Sequence, residues 1–94
     1  MATVTVRIPA PLRSFTGGAG ELEAVGATVG EVLSALGARH DGLTERVLAA
    51  DGSPRSFVNL FLGQQDVRAL AGLETPVREG DVLSIVPAVA GGRP

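Results

Sequence analysis

The chain has no cysteine, which excludes a disulfide framework, a thiolate metal site and a cysteine nucleophile. It also has no lysine. All eight basic residues are arginine, so the α-amino group is the only primary amine that could receive an acyl group. His40 is the sole histidine, with Asp41 beside it. Without a second histidine or a cysteine it completes no zinc site, and it reads as a loop or helix-end residue. Ser14, Ser34, Ser53, Ser56 and Ser84 lack the Gly-x-Ser-x-Gly setting of a hydrolase nucleophile. Gly17-Gly18-Ala19-Gly20 is not followed by Gly-Lys-Ser/Thr, so it is a turn rather than a phosphate loop. Basic runs are missing too, and the net charge is −2, against the electrostatic footprint of a nucleic-acid binder. No stretch approaches the roughly 20 apolar residues of a membrane span. A cytoplasmic protein is expected, with no nucleic acid and no membrane as partner and no bound cofactor or metal.

What is present is one small domain's worth of core: 94 residues, 45% of them hydrophobic against 19% charged, a balance that suits a folded chain. Val4, Val6 and Ile8 alternate with Thr3, Thr5 and Arg7, the period of a half-buried strand, and Pro9 and Pro11 stop it. Ser14 to Gly20 is turn chemistry, and Glu21 to Val25 alternates again with Leu22 and Ala24 inward. Thr28-Val29-Gly30-Glu31 predicts a capping box, with the glutamate returning to the amide of the cap. Val29, Val32, Leu33 and Leu36 then form one apolar helix face, ended by Asp41-Gly42. Leu43, Val47 and Leu48 suggest a short second helical turn before the loop of residues 49–54.

Phe57 to Leu62 is the strongest strand, with Val58, Leu60 and Leu62 on one face and Phe57, Asn59 and Phe61 on the other. The two phenylalanines are either a second layer of core or an exposed patch for a partner. Val67 to Leu70 is short and ambiguous, and Thr75 to Asp81 is a polar approach to a last strand, Val82 to Val86. Asp66, Glu79 and Asp81 read as a solvated face that could meet a basic patch on a partner. The order strand, strand, helix, strand, short pieces, strand predicts an α+β plan, with one main helix on one face of a mixed four- to five-stranded sheet.

Beyond Pro87 the chain reads Ala88-Val89-Ala90-Gly91-Gly92-Arg93-Pro94, with no bulky side chain between Val89 and Arg93. Extended backbone advances ~3.3–3.6 Å per residue, so Gly91 and Gly92 stand clear of the body. Glycine has no Cβ to keep another backbone away. The division expected is a folded domain of residues 1–87 and a tail of residues 88–94 built for threading into a narrow channel.

That plan with a diglycine tail resembles the β-grasp, or ubiquitin-like, fold. Phe57-Val58-Asn59, Asp66-Val67-Arg68, Glu79-Gly80-Asp81-Val82 and Val86-Pro87-Ala88-Val89-Ala90-Gly91-Gly92 resemble the MoaD/ThiS family of sulfur carriers. The opening Val4-Thr5-Val6-Arg7-Ile8-Pro9 and the Pro-Ala-Val-Ala-Gly-Gly ending are most similar to its CysO-type branch, linked to cysteine biosynthesis.

The resemblance implies a protein co-substrate rather than an enzyme, monomeric when free, whose Gly92 carboxylate is adenylated by an E1-like enzyme using ATP and Mg²⁺. The carboxylate is then converted to a thiocarboxylate that feeds a sulfur-accepting synthase. Ala88, Val89, Ala90 and Gly91 would thread the partner's channel, while Phe61 and Phe57 would dock it. Arg93 and Pro94 stand beyond Gly92, so the resemblance also implies a processing site at Gly92-Arg93 for a JAMM-type zinc peptidase. Two other readings stay open: a small subunit of molybdopterin synthase, and a ubiquitin-like modifier joined to target lysines.

Overall fold

A computed structural model describes residues 1–55 and 58–87. Phe57 and the tail residues Ala88, Val89, Ala90, Gly91, Gly92, Arg93 and Pro94 lie outside the described residues. The elements run β1 (Ala2–Arg7), β2 (Glu21–Gly26), α1 (Val29–Arg39), α2 (Leu43–Val47), β3 (Val58–Leu62), β4 (Gln65–Asp66) and β5 (Val82–Pro87), with 3₁₀ segments at Ala10–Thr16, Val67–Ala69 and Gly72–Glu74. The five strands form one sheet in the order β2-β1-β5-β3-β4. Its centre is the parallel pair β1 and β5; β2 is antiparallel to β1, and β3 is antiparallel to both β5 and β4.

Alternation sets the two faces of the sheet, because successive strand residues point to opposite sides. Val4 and Val6, Leu83 and Ile85, and Val58 and Leu60 share the face covered by α1, where Val32, Leu33 and Leu36 meet them; all are buried. Leu62, expected beside them, is only half-buried, because β3 ends there and the chain turns at Gly63 on the rim of the sheet.

Local chemistry departs from the expected turns in four places. The first is the connection between β1 and β2, where Pro9 and Pro11 both stop the strand and start a seven-residue 3₁₀ helix. Proline's fixed φ suits a helical first turn, the Leu12 amide donates to the Pro9 carbonyl at 2.9 Å, and Gly17 closes the segment at φ 67°. At the capping box, Glu31 N–H donates to Thr28 Oγ1 at 3.2 Å as expected, but the Glu31 carboxylate accepts from Ala27 N–H at 2.9 Å, one residue before the cap.

At the far end, α1 stops at His40, whose backbone is extended, and Gly42 at φ 85° begins α2 instead of ending α1. The fourth departure is the approach to β5, which is less polar than its composition suggests. Thr75 and Val77 are buried, and Val29 N–H donates to the Thr75 carbonyl at 3.0 Å, tying this segment to the first turn of α1.

Candidate functional site

The tail departs from the middle of the sheet. Thr5, Val6 and Arg7 of β1 stand beside Val82, Leu83 and Ser84, so β1 ends while β5 continues through Ile85, Val86 and Pro87 with β3 alone beside it. Strand β5 is thus held on both sides for its first half and by β3 alone for its second, where Val86 and Pro87 are exposed.

The sheet face away from α1 is the second component. Arg7 pairs with Glu21 and with Ser84, Ser84 with Phe61, and Phe61 with Asp66. Because paired residues project to the same side, Glu21, Arg7, Ser84, Phe61 and Asp66 form one row across all five strands. Phe61 is half-buried within it, and Val82 and the 40%-exposed Val86 lie on the same face. The result is an apolar patch of Phe61, Val82 and Val86, with the exposed Arg7–Glu21 ion pair of 3.3 Å on one side and Asp66 on the other. Phe61 is thus on the face expected of it and has no second layer of secondary structure over it among the described residues. Val82 and Val86 were legible in the same way, since placing Leu83 and Ile85 in the core puts their neighbours outside.

The other acidic candidates serve the backbone. Asp66 Oδ1 accepts from Arg68 N–H at 2.9 Å, Asp81 Oδ2 from Arg78 N–H at 2.8 Å and Glu79 Oε1 from Thr3 N–H at 2.9 Å. The three carboxylates stay at the exposed surface, as expected, and cap turns and a strand there. His40 caps α1, half-buried, with Nε2 enclosed and unpartnered among the described residues. Among those residues no three histidine, aspartate or glutamate side chains gather as a metal site, and no helix is long and apolar enough to cross a membrane.

A sequence model of the ThiS family matches residues 6–92. The sulfur carrier protein CysO of Mycobacterium tuberculosis is 44% identical over 91 residues, covering 95% of this chain and 98% of that protein. A crystal structure of the Amycolatopsis orientalis BexX/CysO complex contains a chain 46% identical, with a TM-score of 0.88 and coverage of 95% of this chain and 99% of that one. The solution structure of small archaeal modifier protein 1 from Methanosarcina acetivorans gives a TM-score of 0.83 at 30% identity, covering 98% of both chains. The fold is the ubiquitin-like β-grasp, and the chain belongs to the ThiS family.

Proposed function

We propose that this ThiS-family chain is a sulfur carrier of the CysO type: a cytoplasmic protein co-substrate that holds sulfur at Gly92 as a thiocarboxylate and gives it up in biosynthesis, to cysteine or another thio-metabolite. The observation that carries the reading is the family match itself, which runs to Gly92 and stops there, on the last residue of Pro-Ala-Val-Ala-Gly-Gly.

The chemistry follows from the weakness of a carboxylate as an electrophile. A Gly92 carboxylate oxygen attacks the α-phosphorus of ATP in an E1-like enzyme that supplies Mg²⁺, and pyrophosphate leaves. A sulfur nucleophile then adds to the acyl-adenylate carbonyl, and AMP departs with the former carboxylate oxygen. The net change is one oxygen replaced by sulfur. The carrier contributes no acid or base; its residues bind and position. Phe61, with Val82 and Val86, offers the apolar docking face, while Ala88, Val89, Ala90 and Gly91 pass through a channel too narrow for larger side chains. The presence of a CysO chain in a complex with BexX supports a carrier that works by docking on another protein.

Arg93 must leave first. With Arg93 attached, the Gly92 carbonyl is an amide and offers no carboxylate oxygen to attack ATP, which removes the near-attack geometry. A JAMM-type zinc peptidase cutting between Gly92 and Arg93 would supply the active form. The test compares full-length chain with chain 1–92 in ATP–pyrophosphate exchange with the E1-like enzyme. Only chain 1–92 should exchange and, given a sulfur source, gain the mass of one oxygen-to-sulfur replacement. Gly92→Ala in that chain should slow exchange by placing a methyl group where the channel fits bare backbone. Full-length chain activated as fast, with Arg93 still attached at the end, would sink the processing step.

A ubiquitin-like modifier is the second reading, favoured by the 30% identity to small archaeal modifier protein 1. Gly-Gly remnants of this chain on lysines of the host proteome would support it.

A further inference from the structure

A groove of about 890 Å³ opens at the root of the tail, between the 3₁₀ segment Ala10–Thr16, α2 and the end of β5. Leu12 and Phe15, Ile85 and Pro87, and Arg46 and Arg55 line it. The Arg46 guanidinium sits 5.2 Å above the centre of the Phe15 ring, a cation–π contact that holds the fork in place while leaving its N–H edge available. Arg55 donates Nε–H to the Glu45 carbonyl at 2.6 Å, which orients the side chain and leaves its two terminal nitrogens for another acceptor. Neither arginine pairs with a carboxylate among the described residues, where the one ion pair is Arg7 with Glu21 on the outer sheet face. Glu45 also lines the groove, so in a chain of net charge −2 the lining beside Pro87 carries two positive charges to one negative.

We propose that this groove is a second docking surface, which receives an acidic segment at the mouth of the channel in the enzyme that activates the tail. The inference rests on the carrier reading and deepens it. Gly92 stands five residues beyond Pro87, a reach of roughly 17 Å when extended. An enzyme that encloses the Gly92 carboxylate must bring the mouth of its channel within that distance of Pro87, and so over the groove walls. Two oriented guanidinium forks match carboxylates there, by bidentate geometry as well as by charge. The outer face around Phe61 gives apolar contact, and the groove sets the rotation of the carrier about its tail.

The experiment uses chain 1–92 and the E1-like adenylating enzyme of the same cell, with ATP–pyrophosphate exchange followed against carrier concentration at low and high salt. Arg46→Glu should raise the KM for carrier on the order of tenfold with kcat unchanged and abolish the salt dependence, as expected of charges that govern encounter and register. Arg55→Lys, which keeps charge and loses the fork, should raise KM less. Thermal unfolding matching wild type is the fold control, with Arg46→Gln replacing the reversal if that chain does not fold. Wild-type exchange with unchanged KM in the variants, or a fall in kcat alone, overturns the docking surface and leaves the carrier reading standing. No exchange by wild type overturns both. Side-chain Nε resonances of Arg46 or Arg55 that move on deletion of residues 88–92 would assign the groove to the chain's own tail, and would also overturn the proposal.

Discussion

Gly26, the last residue of β2, lies so close to the first turn of α1 that a β-carbon there would sit 2.7 Å from the backbone nitrogen of Val32. Val32 N–H is committed to the Thr28 carbonyl at 3.0 Å, so the neighbour is helix backbone and cannot rotate aside. Gly26→Ala should push α1 away from the sheet and cost about 1–3 kcal/mol. Urea unfolding checks it, and an unchanged midpoint would mean that the helix start yields freely.

Leu33 is 5% exposed within the α1 face that covers the sheet. Leu33→Ala removes buried methyl groups and leaves a cavity in close-packed surroundings, for an expected loss of ~2–5 kcal/mol. Denaturant unfolding giving less than about 1 kcal/mol, below that range, would show that the site collapses around the smaller side chain.

Phe61 faces away from α1, between Ser84 and Asp66 in the five-strand row. Phe61→Ala should weaken binding to the activating enzyme by at least about 1 kcal/mol, as aromatic anchors do, while the domain stays folded. Calorimetric titration with circular dichroism separates the outcomes: unchanged affinity removes Phe61 from the docking face, and an unfolded variant makes it core.

Asp51 holds its proton less tightly than a free aspartate does. Its carboxylate accepts from the Ser53 hydroxyl at 2.7 Å and the Ser53 amide at 3.0 Å, and these bonds, the hydroxyl foremost, hold its pKa below the usual aspartate range. A depressed folded value means that the stabilisation is present at neutral pH and is lost as pH falls below about 4 through the folded pKa. The Ser53 amide resonance should move in that acid window, and in Asp51→Asn it should be insensitive to acid there.

Much of this protein could be read without coordinates because it is written in near-neighbour periodicity. Alternation in residues 3–8, 21–25, 58–62 and 82–86 marks four strands and their inner faces, and Thr28 with Glu31 marks the start of α1. Each such signal depends on residues two to four apart, where backbone geometry alone decides which side chains share a face. The diglycine ending is legible for a similar reason, as a run without bulky side chains between Val89 and Arg93.

What tertiary structure decided are relationships between residues on different elements. That Arg7, Ser84 and Phe61 form one row, that Gly26 touches the backbone at Val32 rather than solvent, and that Phe15, Arg46 and Arg55 meet beside Pro87 all depend on strand register and helix placement. Local propensity carries no information on either. The same limit explains Ala10–Thr16, where two prolines that read only as a strand stop became the first turn of a 3₁₀ helix, because α2 gives Leu12 and Phe15 an apolar neighbour to pack on.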